Sequence, residues 1–523
     1  MEKGKNMKLF RAKFSTMLVF LSFFAHLAAH SDTGKTFLLP RSSGVDLPRL
    51  YSTFDNLILE KDKNLKGFFQ IDGFYEETTK SDKMGKFFLI KNKSTINLRS
   101  DLTDLSPLGD PTAKGTTNDF DITYILHKND LDPALGAALN TIGMTLKLRP
   151  ERTVYGVDLY HYHNLDKLCK GLFAYILVPV FHVEHDLNIQ INGDRSVPFV
   201  GAPNNIIGGP VIDNMTKFFA GNFSAASNND QGGIPTGAAA GFGQQQLNYA
   251  KMAGKQIATG VSDIDFGIGY IFLNQDAYHA SVAAALTFPT SRTKGEYLFE
   301  PTYGNGHHFA IGGDIDLWLR LFGNNNHNLK LKASGKVRYL MEGTEKRTLA
   351  IKGREWSQYL LLGKVGQDQL VPAANVLTTD VSVTPGTQFD GILGLGYQYG
   401  GFCCDLGYEM YGRERTSVHL DSFPNYTYAI AARGYVTGVP LFALTDANVD
   451  GGNVEQAMVN IDTIDTSVAE TPSQFTNSIY GSLGYIFDSS TPVMLNIGGK
   501  YEWADKNSAF DQWGVWAKIG FGF

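Results

Sequence analysis

Lys330, Lys332, Ser334, Lys336 and Arg338 stand at every second position of one segment. In an extended chain alternate side chains share a face, so this spacing builds a basic row. The segment before it places Asp314, Asp316 and Arg320 on one face, and a later segment does the same with Asp405, Glu409 and Arg413. Rows of opposite charge around a water-filled space create a transverse field that sorts ions. The same residues serve equally well by pairing with one another to line a wall. The spacing leaves both roles open, with the ten charged residues among these as the candidate lining.

Other constellations carry less chemistry. The string DANVDGG starting at Asp446 matches the opening of a calcium loop, but the twelfth position, which needs a bidentate Glu, is Ala457. Asp446, Asn448 and Asp450 are therefore a weak calcium candidate, with an Asx-rich turn as the alternative. His161 and His163 could chelate a metal from one strand face, yet no third ligand accompanies them, and His182, His185, His307 and His308 form no better set. There is no G-x-S-x-G, and Ser291 with Lys294 is a bare S-x-x-K, a spacing common by chance. The glycines of GLGYQYGG, from Gly394, alternate as in a crowded strand rather than cradling a phosphate. Cys403 and Cys404 would face opposite sides of a strand and Cys169 is remote, so packing is favoured over a disulfide or metal pair. No catalytic residue, resident metal or cofactor is assigned, and the chain is not read as an enzyme.

The elements that must position these residues follow from composition and periodicity. The chain has 523 residues, 43% hydrophobic, 12% aromatic and only 19% charged, with 56 Gly against 19 Pro. Such a balance argues against disorder, and a net charge of −6 argues against a nucleic-acid partner. Lys3, Lys5, Lys8, Arg11 and Lys13 precede an apolar run at 14–29, as in a secretory signal spanning about residues 1–30. Cleavage after Ala29 and after Ser31 both fit, and removal takes the charge to about −10. Beyond it, no apolar run reaches the roughly 18 residues of a spanning helix.

Strands remain. In WGVWAKIGFGF, Trp513, Val515, Ala517, Ile519, Phe521 and Phe523 form one face, and Gly514, Trp516, Lys518, Gly520 and Gly522 the other. Apolar outside and small or charged inside is the alternation of a lipid-facing strand. It recurs at 478–487, 493–503, 391–399, 402–413, 309–321, 329–341, 263–272 and 278–288, and more weakly at 67–75, 120–126, 142–149, 153–162 and 172–184. Rings gather at the ends of the apolar faces, where a membrane boundary would lie. The expected fold is all-β, a transmembrane antiparallel β-barrel of about 14 strands (range 12–16) over residues 67–523. Short and long connections mostly alternate, which places Phe523 at the periplasmic rim and the long, Gly-, Asn- and Thr-rich loops outside, in solvent. Residues 31–66 are too long for a simple leader and are expected either to plug the lumen or to stay periplasmic.

The last strand, ending on Phe523, resembles the C-terminal assembly signal of bacterial outer-membrane barrels. The segment GVSDIDFGIGYIFLNQDAYHASVAAALTFPTS at 260–291 also resembles the barrels linked to uptake of phenol metabolites and hydrophobic compounds. No fatty-acid-channel signature stands at the mature N-terminus. These resemblances imply an outer-membrane location in a Gram-negative-type bacterium and passive passage of small molecules. They also imply outer-membrane lipid, small-molecule solutes and the barrel-assembly machinery as partners. The leading expectation is a porin-like diffusion channel. The alternatives are a monomeric channel for hydrophobic solutes with 31–66 as a hatch, and a structural or adhesive surface barrel working through its loops.

Overall fold

The computed structural model describes residues 34–44, 46–53, 65–79, 81–99, 119–121, 144–193, 215–222, 243–291, 293–364, 369–431, 457–487 and 491–523. The signal-like segment and the Asp446, Asn448 and Asp450 string lie outside them.

Twelve antiparallel strands close into a barrel. In chain order they are β1 (Gly67–Thr79), β2 (Glu151–Asn164), β3 (Leu172–Asp186), β4 (Ile264–Gln275), β5 (Tyr278–Phe288) and β6 (Ala310–Gly323). They continue as β7 (His327–Leu340), β8 (Gly386–Tyr399), β9 (Phe402–Arg413), β10 (Gln474–Phe487), β11 (Val493–Ala504) and β12 (Asp511–Gly522). Each strand pairs with its neighbours in sequence, and β12 closes the wall on β1 in unbroken register from Phe68↔Gly522 to Thr79↔Asp511. A further strand, Gln256–Val261, pairs with the upper part of β3 beside β4.

Twelve of the segments that alternate in sequence are these strands, which puts the count at the lower bound of the expected range. The other two, at 120–126 and 142–149, are not in the wall. Their ordered parts, Asp119–Asp121 and Met144–Lys147, join a small sheet with Ile96–Arg99 and Gln190–Asn192. Short alternation suits any half-buried sheet, so it does not distinguish lipid on one side from a protein core.

The two faces of the wall separate as the alternation predicts. Along β7 the even positions from Asn328 to Leu340 are buried, while Leu331, Val337 and Tyr339 are exposed. Ile268, Val282, Ile315, Leu395, Leu483 and Ile497 continue the apolar outer band. Rings bound it at the end with short turns (Phe272, Tyr278, Phe322, Tyr399, Phe487) and at the end with long loops (Tyr155, Phe288, Tyr339, Phe475). No helix among the described residues is long and apolar enough to cross a membrane.

The long connections are not the solvent-facing loops expected from their composition. Phe87, Phe88, Phe120, Phe218, Phe219, Trp356 and Tyr359 are buried together in one core. Leu349, Leu360, Leu362, Val381, Val418 and Ile464 belong to a second. The apolar runs in these loops are only two to four residues long, below any periodicity test, yet together they roof the loop end of the barrel.

Inside the wall, large side chains rest on glycines. A Cβ on Gly498 of β11 would lie 2.3 Å from Trp516 Cζ2, whereas a Cβ on lipid-facing Gly73 would meet only the Ala517 carbonyl, at 3.8 Å. Gly498→Val is expected to cost about 1–3 kcal/mol by overpacking, seen as a lower urea midpoint for loss of heat-modifiable migration. Gly73→Val is expected to leave that midpoint in place. Equal midpoints for both would contradict the inward placement of Trp516.

Candidate functional site

A twelve-stranded wall encloses more space than its own inward side chains fill. The rest is taken by the chain upstream of β1. Residues 34–36 are hydrogen-bonded in the loop layer: Gly34 N to Leu89 O at 3.1 Å, Lys35 N to Phe87 O at 3.2 Å, and Thr36 N to Val468 O at 3.0 Å. Phe37 lies under the Arg347 guanidinium, 3.9 Å from its carbon. The segment then descends. The Leu39 carbonyl accepts from Arg413 at the loop end of β9, at 3.3 Å. At the other extreme, Thr53 N donates to Asp405 near the turn end, at 2.9 Å. Residues 39–44 and 46–53 thus run the height of the lumen.

Arg41 sits in a cage of three wall carboxylates. Its Nη2 lies 2.7 Å from Asp390 of β8 and 2.5 Å from Glu409 of β9, and its Nη1 is 3.1 Å from Glu502 of β11. The Tyr411 ring lies 4.6 Å from its guanidinium carbon. A short helix, α1 (Leu47–Tyr51), follows, started by Pro48 and capped by the Asp46 side chain accepting from Arg49 N at 3.0 Å. The cap is shared with the wall, because Lys500 of β11 also donates to Asp46. Arg49 reaches Asp158 of β2 at 2.7 Å and Glu76 of β1 at 3.5 Å, with the Phe74 ring 3.8 Å from its guanidinium carbon. Lys518 of β12 donates to the Arg49 carbonyl at 2.7 Å, and Ser43 Oγ donates to Glu76 at 2.5 Å. The segment's charged and main-chain groups meet polar wall groups, while Leu47 shares an apolar cluster with Phe74, Phe181, Tyr480 and Trp516, and Leu50 shares one with Phe68 and Tyr160.

The ten sequence-selected residues all lie on inward positions but not as one open ring. Arg338 pairs with Asp314 at 2.6 Å and with Asp265 of β4 at 2.7 Å, while Lys336 lies 3.3 Å from Asp265. Lys332 pairs with Asp405 at 2.9 Å, and Lys330 stands 4.5 Å over the Trp318 ring. Asp316 accepts from Ser334 at 2.5 Å and faces His279 at 3.8 Å. Arg320 reaches Asn325 at the turn end, at 2.7 Å. Glu409 and Arg413 hold the N-terminal segment instead. Sequence reasoning left Arg41, Asp46, Arg49, Asp158, Asp390 and Glu502 out of this set. Glu502 and Lys500 fall on the inward side of the alternation at 493–503, but their partners Arg41 and Asp46 lie hundreds of residues away.

The remaining candidates disperse. His161 and His163 stack on each other and on Phe523 at the turn end. His185 stacks on Phe299 in the roof, with ring centroids 4.0 Å apart. Cys169, Cys403 and Cys404 form no disulfide with one another, with Cys403 inward and Cys404 outward. Among the described residues no group of three or more His, Cys, Asp or Glu is placed to hold a metal ion. A small cavity of about 40 Å³ remains at the turn end, between Tyr51 and wall residues that include Tyr160, Tyr162, Phe173, Tyr175 and His279.

A closed wall with an apolar, ring-bounded outer band has one environment that satisfies both faces. The chain is an outer-membrane β-barrel. No family model matches it, and no curated protein does. Among solved structures it is similar to an outer membrane channel from Pseudomonas putida F1, at 7% identity and TM-score 0.37, covering 89% of this chain and 98% of that one. It is also similar to a Pseudomonas aeruginosa FadL homologue (8%, TM-score 0.29, 93% and 99% covered). A third is the Pseudomonas putida toluene transporter TodX (8%, TM-score 0.31, 95% and 98% covered). At such values the account of this barrel rests on its own strand pairing and contacts.

Where the segment enters the roof, Glu345 accepts from Arg347 at 3.1 Å and lies 2.6 Å from His308 Nε2. Burial alone would raise the Glu345 carboxyl, but Arg347 and His308 hold it down at about 2, from an ordinary 4.5. A depressed carboxylate stabilises the fold fully above its unfolded pKa and loses that contribution as pH falls through the folded one. The melting temperature of the roof is therefore expected to drop between about pH 4.5 and pH 2. In Glu345→Gln this part of the drop should be missing, and a drop of the same size in both proteins would contradict the assignment.

Proposed function

We propose that this barrel is a gated channel for small solutes, shut at rest by its own residues 39–53. The observation that carries the reading is the chemistry of the contact between segment and wall. Arg41, Asp46 and Arg49 meet wall carboxylates and Lys500, and main-chain groups of the segment meet Lys518, Arg413 and Asp405. An apolar plug leaves at the full cost of exposing its core. A polar one exchanges each partner for water, because the desolvation spent on burying both charges is recovered when the lumen floods. Passive passage then follows withdrawal of the segment, and the inward charges Lys330, Lys332, Lys336, Arg338, Asp314 and Asp316 line the opened path. The turn-end cavity with its tyrosines favours a second reading, in which apolar or aromatic solutes use the same gate.

Removing one partner of a buried charge pair costs roughly 3–5 kcal/mol when the other stays buried. Arg41→Ala with Arg49→Ala should relieve that cost by letting water in and the segment out. In planar bilayers the wild type is expected to show rare, brief openings and the double variant long-lived steps. If a double variant that keeps heat-modifiable migration is as silent as the wild type, the segment is not the gate.

A further inference from the structure

The two arginines of the segment do more than fill space. The charged partners of Arg41 all come from the wall, and Arg49 meets wall acids together with the Ser43 carbonyl of its own segment. Around Arg41 the carboxylates come from β8, β9 and β11, with the Tyr411 ring 4.6 Å from the guanidinium carbon. The wall also orients two of these acids: Ser478 Oγ donates to Glu409 at 2.6 Å, and Gln512 Nε2 donates to Glu502 at 3.0 Å. Around Arg49 the acids are Asp158 and Glu76, with the Phe74 ring at 3.8 Å. In both seats one carboxylate oxygen, Asp390 Oδ1 or Asp158 Oδ1, is buried without a hydrogen-bond partner. Each seat therefore has accepting capacity that its resident arginine does not use.

Charge balance points the same way. Withdrawing the segment takes Arg41 from its cage and Asp46 from Lys500. Asp390, Glu409 and Glu502, three acids, then face Lys500, whose Nζ stands 3.8 Å from Glu409 and 3.8 Å from Glu502, and Arg152 of β2, which acts on Glu502 and is also shared with Glu76. A cage with surplus negative charge, aromatic faces and fixed acceptors fits a planar guanidinium better than a compact, strongly hydrated cation.

We propose that Asp390, Glu409 and Glu502, with Tyr411, form a binding site for small organic cations bearing a guanidinium group. Arg41 occupies this site as an internal stand-in, and an incoming cation competes it out and opens the channel. The inference rests on the gated-channel reading and adds to it a ligand class and an opening signal. The seat of Arg49 offers a second position for the far end of a dicationic solute.

The test uses the intact protein in planar bilayers with a matched pair of probes, butylguanidinium and butylurea, which share size and planarity and differ in charge. Butylguanidinium is expected to raise wild-type open probability at a concentration about tenfold lower than butylurea, the factor that one charge-assisted hydrogen bond contributes. Asp390→Asn with Glu409→Gln should abolish the difference between probes. The Arg41→Ala, Arg49→Ala channel should be cation-selective by its reversal potential in a salt gradient. If that channel opens but is unselective, and wild type answers both probes alike, the cation site is wrong and the gate stands. If neither that variant nor either probe opens the barrel, the gate falls and the site with it. The wild-type comparison of probes needs no variant, so misassembly of a mutant cannot shelter the proposal.

Discussion

Closure of the sheet is the constraint from which the rest of the molecule follows. In lipid a backbone N–H or C=O has no water to turn to, so every wall strand must pair on both edges. The β1–β12 register, from Phe68↔Gly522 to Thr79↔Asp511, meets that demand at the one place where the two ends of the wall come together. Closing twelve strands also fixes a lumen too wide for wall side chains alone. Something must occupy it, either water or chain. Here it is chain: the segment that leads into β1 passes down the lumen before the wall begins.

The composition of that contact decides how firmly the lumen is filled. Trp516, Tyr480 and Phe181 give the segment some apolar neighbours, with Leu47 packed among them. The specific holds, however, are charge pairs and main-chain hydrogen bonds. A buried pair is weak evidence of stability, because its attraction is offset by desolvation. It is good evidence of register, since Arg41 engages Asp390, Glu409 and Glu502 while Arg49 engages a different set, Asp158 and Glu76. The segment is thus placed at a defined register, as the proposed gate requires. Its upper end is tied differently. Leu38 lies in the apolar core of the roof and Phe37 under Arg347, so the segment is anchored to the roof at this end.

Much of the wall was legible in the sequence because its signal is local. Period-2 alternation from Trp513 to Phe523 and from Lys330 to Arg338 states which side meets lipid before any partner is known. The segments at 120–126 and 142–149 carry the same signal for a different reason, a small sheet against a protein core. What could not be read were relations between distant residues. Nothing near Arg41 in sequence announces Glu409 or Glu502. The roof was missed because its core is assembled from runs as short as Phe87–Phe88 and Phe218–Phe219, each unremarkable in a loop. The inward lysines were found, but their partners Asp265 and Asp405 sit on β4 and β9, three and two strands from β7, a relation that periodicity does not report.

The central claim is that residues 39–53 must leave the lumen for the barrel to conduct. A Cβ at Gly484 of β10 would stand 2.6 Å from Thr53 Oγ1, close enough for a disulfide from segment to wall. In a protein whose own cysteines are replaced by alanine, Thr53→Cys with Gly484→Cys ties the segment down under oxidising conditions and frees it under reducing ones. Single-channel recording across that switch tests the claim most directly. The account predicts a silent barrel when oxidised and openings restored by reductant, and the same conductance in both states would contradict it.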